Sequence, residues 1–138
     1  MRIFLTNYKD EAGTGKINFV DENNVLLGFE VDNECCEHSG FYILDHISSK
    51  IPEDAFSEST PQEDLPSIQN HIFDTSFILE IKGIDEIEDG SIVVFRIIEK
   101  TTYKRSEKFI HIFNGQNGNY SHGFTFKNGS EIIKENDI

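Results

Sequence analysis

"EKFIHIFN", residues 107–114, decides the fold class. Side chains alternate across a strand, so Phe109, His111 and Phe113 share one face while Ile110 and Ile112 share the other. Apolar residues on both faces predict a central strand that is covered on two sides. Upstream, HIFDTSFILEIKGI (71–84) and SIVVFRIIE (91–99) have the same β-branched and aromatic character and are set apart by polar turns, so a meander is the simplest connection among the three. Downstream, Tyr120, His122, Phe124 and Phe126 share a face by period 2. Asn128-Gly129, between FTFK and SEIIK, predicts a two-residue type I′ hairpin, because both central positions of that turn need positive φ.

The first half reads the same way with weaker signals. RIFLT (2–6) and KINFV (16–20) are short β runs around a Gly13 to Gly15 turn signal. Asp21-Glu22-Asn23-Asn24 predicts a hairpin turn into VLLGFEV (25–31), and FYILD (41–45) resumes strand character. Residues 48–70 hold Pro52, Pro61 and Pro66 among many serines and acids, which predicts a flexible, solvated acidic loop with one helical turn at 53–56. No internal repeat is visible. A chain of 138 residues can bury a core as one domain without disulfide staples. The expected fold is therefore mostly β, or α+β: an antiparallel sheet or meander, sandwich-like, with at most one or two short helices.

Charge narrows the function. The formal net charge is −13. Residues 10–90 carry twenty acids against Lys16, Lys50 and Lys82, a balance of −17, whereas residues 91–138 carry five acids against seven bases. Such a surface repels phosphates, so direct nucleic-acid binding and adhesion to anionic membranes are excluded as expectations. The opening MRIFLTNYKDE reaches polar residues too soon for a signal peptide, and no later run approaches the roughly 18 apolar residues of a membrane span, which predicts a soluble, cytoplasmic protein.

"DNECCEHSG" (32–40) holds both cysteines. Adjacent thiols close no useful loop, so Cys35 and Cys36 are expected to be reduced. Together with His38 and His122 they form the candidate metal set, since thiolate and neutral imidazole suit zinc. The spacing lacks the CxxC or HxxxH pattern that aims two ligands at one ion. Packing of one thiol inward and its neighbour outward at a strand end is the preferred reading, and Glu34 and Glu37 work against an activated thiolate. No GxSxG, HExxH or dinucleotide glycine pattern occurs, so neither a catalytic residue nor a cofactor is assigned. Gly115, Gly118 and Gly123 in "GQNGNYSHG" (115–123) read chiefly as turn punctuation before a strand.

At these two stretches the chain resembles an uncharacterised family of small bacterial and bacteriophage proteins. That family pairs a Gly-Cys-Cys or Glu-Cys-Cys element after a strand with a downstream Gly-Asn-Gly-Tyr-Tyr-Gly-type element before a final strand. Here the first is Glu34-Cys35-Cys36 and the second is 115–123, so the likeness covers about a third of the chain. The insertion at 48–70 and the Ser121-His122 pair depart from the pattern. The resemblance implies a shared fold, no particular reaction, and two motifs that meet in space.

Two functional classes follow. One is an acidic module, immunity- or inhibitor-like, that covers a basic protein partner through Asp54, Glu58, Glu63, Asp64, Asp85, Glu86, Glu88 and Asp89. The other is a small metal- or thiol-dependent enzyme built on Cys35, Cys36, His38 and His122. The acidic excess favours the first. A basic cluster, Lys100, Lys104, Arg105 and Lys108, offers a contact to an acidic patch on a second copy.

Overall fold

Among the described residues, nine strands account for the apolar runs: β1 (Arg2–Thr6), β2 (Lys16–Val20), β3 (Val25–Glu30), β4 (Ser39–Leu44), β5 (His71–Ile84), β6 (Ile87–Glu99), β7 (Glu107–Asn114), β8 (Gly123–Asn128) and β9 (Glu131–Asp137). The structure, a computed structural model, describes residues 1–6, 15–31, 39–53, 55, 68–84, 87–100, 106–115 and 121–138, with the backbone alone at 84 and 87–89. All pairings among the described residues are antiparallel. They build a five-stranded sheet in the order β1-β2-β3-β8-β9 and a four-stranded sheet in the order β4-β7-β6-β5. No α-helix occurs among the described residues, and no described helix is long and apolar enough to cross a membrane.

The inner faces of the two sheets share one core, which makes the fold a sandwich. Ile17, Phe19, Leu27, Phe29, Phe124 and Phe126 come from the five-stranded sheet, and Phe41, Val93, Phe95, Ile97, Ile110 and Ile112 from the four-stranded one. Edge-to-face pairs join the layers: Phe19 with Phe41 at 5.0 Å, Phe73 with Phe126 at 5.2 Å and Phe95 with Phe126 at 4.9 Å between ring centroids. Each fully buried Phe contributes about 2–3 kcal/mol relative to exposure.

β7 lies between β4 and β6, with Ile110 and Ile112 in the inter-sheet core. Its other face, Phe109 and Phe113, packs in a second cluster with Tyr42, Ile92 and Val94, so the four-stranded sheet is covered on both sides. β5, β6 and β7 form the expected meander, but the chain then leaves it: β8 joins the other sheet beside β3. The reason is local. β7 already has two neighbours, and β8 is apolar on one face only, with Phe124 and Phe126 buried while Gly123, Thr125 and Lys127 are half-exposed.

Two turns fix the register of the five-stranded sheet. Between β2 and β3, Asn24 adopts φ 60° and its N–H donates to the Asp21 carbonyl at 3.1 Å. Between β8 and β9, Asn128 pairs with Glu131, so Gly129 and Ser130 are the turn's central residues, one position later than expected. Gly129 has φ 59° and Ser130 is not left-handed, the pattern of a type II′ rather than a type I′ turn. The Gly129 N–H donates to the Asn24 carbonyl at 2.9 Å, so the two turns lie side by side.

Candidate functional site

Strand registers define two ends of the sandwich. Thr6, Lys16 and Glu30 align at one end of the five-stranded sheet with Gly123 and Asp137, while Ser39, Asn114 and Ser91 align at the matching end of the other. The sheets are tied together there. The His122 Nδ1–H donates to the Glu30 carbonyl at 2.8 Å, and Ser39 Oγ lies 3.5 Å from the same nitrogen. His122 and Ile138 exchange both backbone hydrogen bonds, and Asn114 Nδ2 donates to the Ile138 carbonyl at 2.8 Å.

Every connection from an odd-numbered strand to the next leaves the fold at this Ser39 end. Three of those connections are acidic in sequence: Asp10 and Glu11 lie between β1 and β2, Asp32, Glu34 and Glu37 between β3 and β4, Asp85 and Glu86 between β5 and β6. Lys9 is the one base on them. The opposite, His71 end takes the β4–β5 and β6–β7 connections, so Lys100 belongs to that end, while Lys104 and Arg105 lie outside the described residues. Lys100 is engaged within the chain, as an ion pair with Glu22 and a backbone donor to Asn70 at 2.9 Å.

A depression of about 320 Å³ opens on the outer face of the five-stranded sheet at the Ser39 end. Lys16, Glu30, Thr125, Glu135 and Asp137 line it, and Gly123 makes room for it. A Cβ at Gly123 would lie 3.2 Å from Asp137 Oδ1 and 3.3 Å from the Glu30 carboxylate, whose Oε2 accepts the Gly123 N–H at 2.9 Å. Three carboxylates around one ammonium make a pocket that favours a cationic side chain.

The candidate residues distribute unevenly. Cys35, Cys36, His38, Asp54, Glu58, Glu63, Asp64, Asp85, Glu86 and the side chains of Glu88 and Asp89 lie outside the described residues. His122 is buried at 4% exposure, and its bond to the Glu30 carbonyl puts the ring lone pair on Nε2. Val31 and Ser39, the described residues on either side of the Cys-Cys stretch, sit next to it in the fold through Glu30 and Ser39. Among the described residues no group of three or more His, Cys, Asp or Glu is arranged to hold a metal ion. The acidic partner set is split: the β5–β6 connection belongs to the Ser39 end, the β4–β5 connection to the other.

Two features escaped the sequence reading. Asp21, taken as a turn residue, is 5% exposed and accepts three backbone N–H groups: Asn23 and Val25 on Oδ1, each at 2.9 Å, and Phe73 on Oδ2 at 2.8 Å. It clamps the β2–β3 turn to β5 across the two sheets. Arg96, on the outer face of β6, donates through Nε and Nη2 to Asp74 Oδ2 and lies 5.3 Å from the Phe77 ring, which fixes the irregular pairing between Phe73 and Ile78. The nearest signal in sequence was DTS at 74–76, three polar residues inside an apolar run.

The first stretch of the expected 48–70 loop exposes Ser49, Lys50 and Glu53 and half-buries Ser48, Ile51, Pro52 and Ala55. Ile51 and Ala55 pack on the outer cluster of the four-stranded sheet, and the Ala55 N–H donates to the Pro52 carbonyl at 3.1 Å in a single turn. Residues 54 and 56–67 lie outside the described set.

Comparison of the chain with protein-family models, with curated proteins and with solved structures gives no match.

Proposed function

We propose that this protein is an acidic binding module whose contact surface for a basic protein partner is the Ser39 end of the sandwich. The observation that carries the reading is a local group of carboxylates: three acidic connections leave that end, which also holds the Glu30, Glu135 and Asp137 depression. Clustered carboxylates accelerate encounter with a cationic surface and discriminate against anionic ones. Glu30, Glu135 and Asp137 then receive a basic side chain, and Lys16 sets its register by repulsion.

The test is affinity capture from the source cell with the tagged protein at low and high salt, followed by mass spectrometry. A specific basic protein is expected, retained at low salt and weakened at high salt. E135Q/D137N should weaken its capture, and D54N/E58Q/E63Q/D64N, on the connection at the opposite end, should leave it intact. Recovery of no basic protein, or equal effects of the two variant sets, rejects the reading.

A second reading, a metal- or thiol-dependent site on Cys35, Cys36, His38 and His122, is favoured by the His122 tautomer. Ligating imidazoles commonly donate the other ring N–H to a backbone carbonyl, as His122 does to Glu30. Elemental analysis of the purified protein tests it, with stoichiometric metal lost in C36S as the supporting result and absence of metal in the wild type as the opposing one.

A further inference from the structure

His111 holds down the chain that follows β4. Its Nε2 accepts the Ser48 backbone N–H at 3.2 Å, and its Nδ1 lies 3.1 Å from the Phe109 carbonyl. A backbone N–H can only donate, and a carbonyl can only accept, so these partners admit one form of the ring: neutral, with the proton on Nδ1. Tyr42 stacks on the imidazole at 4.3 Å between centroids and 14° between planes, while its hydroxyl donates to the Ser48 carbonyl at 2.6 Å. Ser48 is thus gripped through both backbone groups, and beyond it Ile51 and Ala55 lie on Tyr42, Ile92, Val94, Phe109 and Phe113.

We propose that residues 45–53, with Ala55, form an acid-released strap: a proton taken up at His111 Nε2 breaks the bond to Ser48 and uncovers the apolar outer face of the four-stranded sheet. A protonated Nε2 would point its hydrogen at the Ser48 N–H, so the charged ring and the closed strap exclude one another. His111 is fully buried, and that burial pushes its pKa down to about 4, with the nearby His46 acting in the same direction. His46 is itself bonded to Asp45 at 2.7 Å. The other titratable or charged groups on the elements packed around the ring are Tyr42 on β4, Lys50 and Glu53 on the strap, Glu107 and Lys108 on β7, and Glu88, Asp89, Arg96 and Glu99 on β6, with Asp74 of β5 against Arg96. Arg96 is neutralised by Asp74 and approached by Glu107 at 3.6 Å. The strap itself exposes few apolar groups to water, Ile47 at 39% being its most open one.

The sign follows from linkage. An open strap returns His111 to an ordinary pKa near 6.5, so acid favours the open form, starting below about pH 6.5. Between pH 7 and pH 5 the opening equilibrium should rise about 20-fold, given about 4 in the closed form. Hydrogen exchange of the Ser48 amide, corrected for intrinsic rate, reads this directly at pH values above the sequence pI of about 4.6. The core amides of Val93 and Ile110 should keep their protection. Tyr42→Phe should lower Ser48 protection several-fold at both pH values with the same ratio between them, and His111→Gln should abolish the ratio. A wild-type ratio near one, loss of core protection in parallel with Ser48, or a ratio that survives in H111Q and disappears in His46→Asn overturns the proposal. The wild-type and Y42F measurements decide it even where H111Q does not fold.

Discussion

Removing the Asp21 carboxylate should loosen the sandwich at a single point and by a predictable amount. Of the three N–H groups that Asp21 accepts, that of Asn23 lies in an exposed turn and can turn to water. Those of Val25 and Phe73 are buried, so Asp21→Ala orphans two donors, at about 1–3 kcal/mol each. Relief from burying a charge offsets part of this, and a net loss of about 3–4 kcal/mol is expected. Asp21→Asn is the informative companion. Its amide oxygen can keep Asn23 and Val25, but its NH2 then faces the Phe73 N–H, so one bond is lost and the expected cost is about 2 kcal/mol. Urea unfolding at pH 7 measures both, with stability extrapolated at constant m. An Ala variant within about 1 kcal/mol of wild type would show that water replaces the carboxylate and that Asp21 joins nothing across the sheets.

Two further predictions use Asp74 and His71. Asp74 is held below the usual carboxylate range, first by its hydrogen bond from Ser76 and then by Arg96; Asp74→Asn should cost about 1 kcal/mol at pH 7, and because the folded pKa is lowered, that difference should shrink as pH falls below about 4. Acid and neutral urea curves check it, and a difference that grows on acidification contradicts the assignment. His71 is 5% exposed with no hydrogen-bond partner for either ring nitrogen, and burial, then Lys108, lowers its pKa; the Ile68 carbonyl opposes the shift weakly without reaching bonding distance. A lowered histidine loses stability as pH falls below about 6.5, so His71→Phe should gain more at pH 5 than at pH 7, and a gain independent of pH would assign the effect to packing alone.

What was legible in the sequence follows from period and composition. The double-faced pattern of 107–114 identified the central strand because both faces are apolar in fact, Ile110 and Ile112 inward, Phe109 and Phe113 outward. Partner choice was less legible. Alternation tells which side of a strand is buried but not which strand lies beside it, so the transfer of β8 to the other sheet needed three-dimensional closure to decide. The same limit hid Asp21: its neighbours Asn23 and Val25 are local, but Phe73 lies 52 residues away, and a carboxylate between strands reads as a turn former. His111 was correctly assigned to a buried face, yet its grip on Ser48, 63 positions away, depends on a chain segment whose prolines and acids suggested open solvent.

The sheet crossings explain why the described flanks of the two most distinctive stretches of the chain are neighbours. The Cys-Cys stretch connects β3 to β4 and the glycine-rich stretch that begins at Gly115 connects β7 to β8; those are the connections where the chain passes from one sheet to the other, in opposite directions. β3 is paired with β8, and β4 with β7, so both crossings must arch between the same two pairs of strand ends. Their described flanks meet there, with Ser39 3.5 Å and the Glu30 carbonyl 2.8 Å from His122 Nδ1. A buried imidazole bonded to a carbonyl suits the base of such a crossing. The nearness of these flanks is therefore accounted for by topology before any ligand is invoked. Function at this end has to be read from what topology does not require, and the carboxylates of Glu30, Glu135 and Asp137 around a side-chain-free Gly123 are of that kind. An arch needs glycine and a capped strand end; it has no use for three acids facing water. Their concentration there is the stronger reason to look for a cationic partner.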